Sequence, residues 1–184
     1  MVRIVVIVDD VTNFKNKPYF LNLLITEWEK TGFEVVIFDS LKNLPEAEIV
    51  IIHVDLTWLP APYQELSKQY QTVININATD ISKRLVSCQL VKVDDSYSGP
   101  VIVKTNENYG GWAERKIRYK VPVIGRILSF LDRRRHWTTT GIIKGCNYPI
   151  YESLDKVPLK IWKNKSFVVE RFIAERHDES YALR

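Results

Sequence analysis

The sequence lacks any apolar run of the roughly 18 residues that a membrane-spanning helix needs. We therefore expect no membrane span and no membrane partner. The most apolar stretch, Val2 to Val8, is β-branched and short, and it ends in Asp9 and Asp10. A secretory leader would instead end in small residues at a cleavage site. This stretch therefore predicts a buried first strand.

Cysteine and histidine are also scarce, with two and three residues respectively. Cys88 and Cys146 lie far apart in the sequence, without the spacing of a metal site. We expect two free thiols in a reducing, cytoplasmic compartment, and a single disulfide between them stays open as the alternative. His53 and His136 each lack a second histidine or cysteine at metal-ligand spacing. We therefore expect no metal ligands within this chain.

The composition is that of an ordinary globular protein: 184 residues, of which 46% are hydrophobic and 26% charged. The net charge of +4 is spread unevenly, because residues 113–136 contain eight bases and only two acids. These bases are Arg115, Lys116, Arg118, Lys120, Arg126, Arg133, Arg134 and Arg135. The rest of the chain is slightly acidic, so the protein has one basic segment rather than a generally basic surface.

Strand-like and helix-like patterns alternate over the first half of the chain. Predicted strands span 2–8, 33–38, 49–54 and 72–76, and predicted helices span 14–30, 63–70 and 81–90. This alternation predicts an α/β fold with a small parallel sheet, in which ligands bind beyond the carboxyl ends of the strands. Polar residues stand at these ends: Asp9, Asp10, Asp39, Asp55 and Asn77.

The pattern changes at the loop 94–100. We divide the chain into an α/β domain over 1–78, a linking helix and loop over 79–98, and a second domain over 99–184. In the second domain, the apolar run Val101–Val103 predicts a strand that ends at Lys104, and Gly110-Gly111 lets a ligand approach the backbone closely. These features suit phosphate binding, but they are equally typical of a solvated strand end and a plain turn.

Three further segments complete the second domain. Residues 121–125 interrupt any continuous helix within the basic segment. Residues 148–158 predict a strand edge that leads into a short helix, and residues 167–173 predict a strand.

Four short motifs in this order resemble the ATP-grasp superfamily of carboxylate–amine and carboxylate–thiol ligases. They are Thr79–Lys83, Pro100–Lys104, the glycine turn Asn108–Gly111, and the strand Val168–Ile173. The resemblance spans nearly the whole chain. It implies a small α/β domain followed by an incomplete α+β ATP-grasp domain.

The resemblance also implies roles for individual residues. Lys83 and Lys104 would face the phosphates of ATP, with Gly110 and Gly111 folded over them. Glu170 would accept a hydrogen bond from the adenine amino group, and Arg171 and Phe172 would offer backbone groups to the ring. His177 or Asp178 would hold the ribose. Two cations and backbone N–H donors are physically suited to a triphosphate.

The implied activity is ATP-dependent ligation of a carboxylate to an amine or thiol through an acyl phosphate. The Mg²⁺ ligands of the family would lie beyond Arg184, so we expect this chain to be an inactive fragment of a longer ligase. The partners would be ATP and a small carboxylate or amine, and a homo-oligomer stays open. The acceptor substrate would be lined by Asp9, Asp10, His53, Asp55 and Trp58.

A response-regulator receiver domain is the strongest alternative. In that family, clustered acids hold Mg²⁺ and one aspartate accepts a phosphoryl group, which would assign these roles to Asp9, Asp10 and Asp55, with Lys104 after a later strand. Thr105 stands where that family has proline. Acidic residues also occur at strand ends in many α/β folds without any catalytic role.

A nucleic-acid-binding module is a third alternative. It rests on residues 113–137, where Tyr119, Phe130 and Trp137 are interleaved with the bases. We expect a solvated loop more often than a nucleic-acid site from such a run, because no recognised nucleic-acid motif accompanies it.

Overall fold

A computed structural model describes residues 2–143, 147–173, 176–177 and 180–181, the last four and Arg133 by their backbone alone. The chain divides into two compact units, residues 1–80 and 81–184. No helix of the described residues is both long and apolar enough to cross a membrane, in line with the sequence.

The first unit is built on a parallel sheet of four strands. These are β1 (Arg3–Val8), β2 (Glu34–Phe38), β3 (Ile49–His53) and β4 (Val73–Ile74), in the order β2-β1-β3-β4. All three pairings are parallel. β1 is central, and Ile4 to Val8 are all buried, which is why this strand is apolar on both faces. The predicted α/β fold with a parallel sheet is confirmed.

The prediction of one continuous helix over 14–30 is wrong, because this part of the chain forms two helices. α1 spans Val11–Asn16 and α2 spans Phe20–Lys30. Pro18 separates them, since proline has no N–H and disfavours helical geometry in the residue before it. Lys17 accordingly has extended backbone angles, φ −98° and ψ 146°. α2 packs Ile25 against the sheet.

Three other elements of the first half are shorter than predicted. The helix predicted over 63–70 is α3 (Ala61–Gln64) followed by a 3₁₀ turn at Glu65–Lys68. β4 stops at Ile74 because Asn75 takes a positive φ of 67°. Of the helix predicted over 81–90, only α4 (Lys83–Val86) forms.

α4 is short because the residues after it pair with a strand instead. Leu90 forms a β-bridge with Glu170, and the Val91 N–H donates to the Val169 carbonyl at 2.9 Å. Strand pairing in the folded chain therefore overrides the local helical pattern. Cys88, just after α4, is exposed with a free thiol, and Cys146 lies outside the described residues.

The second unit contains an antiparallel sheet. Its strands are β5 (Val101–Thr105), β6 (Ile150–Tyr151) and β7 (Phe167–Arg171), in the order β6-β5-β7. A separate hairpin joins β8 (Arg176–His177) to β9 (Ser180–Tyr181). Val101, Val103 and Val169 share a core with Ile161, which lies on α8 (Leu159–Lys163).

The basic segment forms α5 (Trp112–Tyr119) and α6 (Ile124–Arg134), followed by α7 (Trp137–Thr140). The predicted interruption over 121–125 is confirmed by the break between α5 and α6. The edge strand predicted near 148–151 and the short helix after it are β6 and a 3₁₀ turn at Leu154–Lys156.

Candidate functional site

The turn that follows β5 has an unusual backbone. Tyr109, Gly110 and Gly111 have positive φ values of 41°, 70° and 70°. A Cβ on Gly111 would overlap the Glu107 carboxylate, which lies against it. The positive φ of Gly111 favours glycine, and a side chain at this position would also have to displace the Glu107 carboxylate.

Lys83 is anchored at the same turn. Its Nζ donates to the Glu107 carbonyl at 2.7 Å, and its backbone N–H donates to the Asn106 carbonyl at 2.9 Å. The Thr105 hydroxyl donates to the Glu107 carbonyl as well, at 3.2 Å. The fold thus brings Lys83 together with the glycine turn.

Lys104 and Glu170 form an ion pair across adjacent strands, with Nζ and Oε2 2.7 Å apart. Lys104 lies opposite Val168 in the register, so Glu170, two residues further along β7, is its diagonal neighbour on the same face. Glu170 is only 5% exposed. Sequence reasoning singled out both residues but did not anticipate that they pair.

A network of arginines surrounds Glu107, and sequence reasoning missed it. The Glu107 carboxylate lies 3.9 Å from Arg115 Nη2 and 3.6 Å from Arg118 Nη2. Arg115 is buried, which lowers its pKa, and Nη2 donates to the Gly141 carbonyl at 3.3 Å. The available signal was a lone acid, Glu107, between the strand that carries Lys104 and the basic helix α5.

The strand assigned to adenine recognition is already paired on both sides. The Arg171 N–H donates to the Gln89 carbonyl and the Phe172 N–H to the Pro100 carbonyl, both at 2.9 Å. These two donors are therefore committed to the protein backbone. His177 lies in β8, described by its backbone alone, and Asp178 lies outside the described residues.

A second cluster lies at the carboxyl ends of β1 and β3. The neighbours of β1 are β2 and β3, so a switch in strand order falls between β1 and β3, where open α/β sheets bind ligands. Asp9 and Asp10 follow β1, and the Asp55 N–H donates to Asp9 Oδ2 at 2.8 Å. Asp10 caps α1 by accepting from the Asn13 N–H at 2.9 Å.

Lys17 and Tyr19 complete this cluster, and sequence reasoning did not single them out. Lys17 Nζ lies 2.8 Å from Tyr19 Oη and 3.1 Å from Asp55 Oδ2. Tyr19 Oη donates to the same Asp55 oxygen at 2.5 Å. Pro18 was the available signal, because a break there places both side chains in a loop beside the sheet.

His53 packs its ring against two aromatic rings of the cluster. The centroid distances are 5.3 Å to Phe14 and 4.8 Å to Tyr19, both edge-on. Its Nε2 is buried without a hydrogen-bond partner among the described atoms. Burial lowers the pKa of His53, which favours the neutral ring despite the nearby carboxylates of Asp55 and Asp9.

The pKa values of Asp9 and Asp55 shift in opposite directions. Burial of the carboxyl raises the pKa of Asp9, although the residue as a whole is exposed. Burial also acts to raise the pKa of Asp55, but the hydrogen bonds from Tyr19 and Lys17 outweigh it and the pKa lies below its ordinary value. The pKa of Lys17 is raised by its hydrogen bonds to Tyr19 and Asp55.

The other predicted residues of the first unit make none of the contacts described above for this cluster. Trp58 is 43% exposed, and its backbone pairs with Asp80. Asp39 and Asn77 are exposed. Lys104 follows no strand of the parallel sheet, since it lies within the antiparallel β5, and this counts against a receiver site at the switch point.

Over the described part of the chain, no three or more histidine, cysteine, aspartate or glutamate side chains are grouped to hold a metal ion. Comparisons with protein families, with curated proteins and with solved structures find no significant match to this chain. The two side-chain clusters are the candidate sites of this protein.

Proposed function

We propose that the second unit binds ATP in the manner of ATP-grasp ligases, and that the protein serves ATP-dependent ligation of a carboxylate to an amine or thiol. The observation that carries this proposal is the Lys104–Glu170 ion pair, with its oppositely charged atoms 2.7 Å apart. Its Lys104 lies on β5, the strand that leads into the glycine turn where Lys83 is anchored.

The ion pair is unusual as a purely structural feature. Removing two charges from water costs about as much as their attraction returns, so a buried pair does little for stability. β5 sets Val101 and Val103 into the core and Lys104 on the opposite face. A cation and a carboxylate held together on that face suit a ligand with an anionic end and an amino-bearing ring.

The roles of these residues follow from their chemistry. Lys83 and Lys104 would hold the phosphates, and the backbone of Gly110 and Gly111 would approach them without a side chain between. The Glu170 carboxylate would accept from the adenine amino group. Because the Arg171 and Phe172 N–H groups are engaged, the ring would rely on other backbone atoms of this stretch.

When bound, ATP would supply the phosphoryl group that activates the carboxylate as an acyl phosphate. The acceptor is proposed to bind in the first unit, at the cluster of Asp9, Asp10, His53 and Asp55. The three carboxylates of this cluster, with Lys17 bonded to Asp55, suit the ammonium end of an amine.

The test is ATP affinity measured by titration calorimetry for the wild type and Lys104→Ala. Loss of a charge-assisted contact predicts about 10- to 100-fold weaker binding. Lys160→Ala removes an exposed lysine on α8 and should bind ATP like the wild type. Unchanged affinity in a folded Lys104→Ala would contradict the proposal.

Lys104→Ala also leaves Glu170 buried without its partner, so folding must be checked by circular dichroism. Lys104→Arg keeps the positive charge and is expected to retain the fold and part of the affinity. If both variants are folded and both bind like the wild type, Lys104 does not contact the phosphates.

A further inference from the structure

The turn between α5 and α6 exposes consecutive apolar side chains. Val121 is 46%, Val123 69% and Ile124 58% exposed, and Pro122 between them is exposed as well. A run of four exposed apolar residues is unfavourable in water and marks a contact surface when it is built into a fold. We call residues 121–124 the apolar tip.

The backbone holds the tip in a defined, strained shape. Val123 has φ 64°, which is rare for a β-branched residue. The Gly125 N–H donates to the Val121 carbonyl at 2.8 Å, and a Cβ on Gly125 would overlap the Tyr119 carbonyl. The tip is therefore a tight turn between the helices, with its side chains directed outward.

α6 continues the apolar surface away from the tip. Ile127 and Leu128 follow Ile124 at the spacing of one helical face and are 54% and 36% exposed. Tyr119 Oη donates to Asp132 Oδ2 at 2.6 Å, which ties α5 to α6 one turn beyond Leu128. Ile124, Ile127 and Leu128 stay exposed beside this contact.

Exposed basic residues flank the apolar residues along α5 and α6. The exposed bases of this segment are Lys116, Arg118, Lys120, Arg126, Arg134 and Arg135. The Arg134 guanidinium lies over the Phe130 ring, 4.2 Å from its centroid. Exposed apolar side chains flanked by lysine and arginine on short helices are typical of helices that lie in a membrane interface.

We propose that the α5–α6 hairpin binds the surface of an anionic lipid bilayer. The apolar tip enters the headgroup region, and the surrounding bases contact the lipid phosphates and carboxylates. The positive charge of the segment is complementary to such a surface. This contact needs no membrane-spanning helix. The expectation of no membrane partner rested only on the lack of a membrane-spanning segment, so it did not address binding at the bilayer surface.

The side chains of the tip favour lipid over nucleic acid. Single-stranded nucleic acid binds through bases stacked on aromatic rings beside cations. Val121, Val123 and Ile124 are aliphatic and offer no stacking surface, whereas acyl chains cover them. Nucleic-acid binding and self-association are therefore outcomes that the experiment must distinguish.

The experiment is co-sedimentation of the whole chain with vesicles of phosphatidylcholine alone or mixed with phosphatidylserine. The chain should bind the mixed vesicles and not the neutral ones. Val123→Ser with Ile124→Ser, and separately Lys116→Gln with Lys120→Gln, should each weaken binding about tenfold or more. The matched controls Leu159→Ser and Lys160→Gln with Lys163→Gln alter exposed residues on α8 and should bind like the wild type.

Three results would overturn the proposal. The first is equal binding to both vesicle types or none to either, and the second is wild-type binding by the tip variant. The third is that the chain binds an oligonucleotide, or self-associates as shown by a mass that depends on concentration, but does not bind vesicles. All the substituted side chains are exposed, so each variant should remain folded. A melting curve measured for each variant checks this.

Discussion

Gly111 lies in a restrictive environment. It combines a φ of 70° with direct packing against the Glu107 carboxylate. Gly32 also has a positive φ, 93°, but a Cβ there would meet no atom within 4 Å. Comparing substitutions at Gly32 and Gly111 therefore separates the free-energy cost of backbone strain from that of a steric clash.

Gly111→Ala is expected to lower the free energy of unfolding by more than Gly32→Ala. Gly32→Ala should cost about 1–2 kcal/mol from the left-handed backbone alone. Gly111→Ala adds the displacement of Glu107, for which overpacking costs about 1–3 kcal/mol more. Urea unfolding of both variants measures the difference, and equal losses would show that the Glu107 packing is not tight.

His53 gives the first unit a pH dependence. Because burial lowers its pKa from 6.5, the unfolded chain binds the proton more readily than the folded chain. The stability from the neutral ring is present above about pH 6.5 and is lost as pH falls through the lower folded-state pKa. The free energy of unfolding should therefore fall on acidification below about pH 6.5.

His53→Phe keeps a ring against Phe14 and Tyr19 but cannot take up a proton. We expect the variant to lose less stability than the wild type over the same acid range, measured by urea unfolding at several pH values. Asp55 has a lowered pKa and loses its contribution only at lower pH, so it does not mask the effect. Identical pH dependences would contradict the assignment to His53.

At the scale of elements, α2 is held by one side of its surface. Ile25 is 7% exposed and packs on the parallel sheet, whereas Leu23 on the same helix is 65% exposed. Ile25→Ala should cost about 2–5 kcal/mol, because it leaves a cavity in the core. Leu23→Ala should change stability by about 0.5 kcal/mol or less. Thermal melting of the two variants tests which face is buried.

The elements also show where the sequence was sufficient. The runs of Val and Ile in β1 and β3 predicted buried strands. The segment around Pro122 predicted the interruption that separates α5 from α6. Pro18 carried an equally clear signal that was not used, so α1 and α2 were joined. The short α4 could not be predicted, because the strand pairing of Leu90 with Glu170 depends on residues far along the chain.

For the whole molecule, the candidate residues divide between the two units. Sequence reasoning proposed Asp9, Asp10, His53 and Asp55 in the first and Lys83, Lys104 and Glu170 in the second. It missed the partners that fix them, Lys17 and Tyr19 in one cluster and Glu107 and Arg115 in the other. Side-chain pairs such as Lys104–Glu170 depend on strand register, which spacing alone does not determine.

The most direct test of the central claim compares ATP, adenosine and tripolyphosphate as ligands of the wild-type chain by titration calorimetry. A site with a phosphate end at Lys83 and Lys104 and an adenine end at Glu170 predicts one saturable ATP site. Both adenosine and tripolyphosphate should bind more weakly than ATP and compete with it. Absence of ATP binding, or binding of tripolyphosphate as tight as that of ATP, would contradict the account.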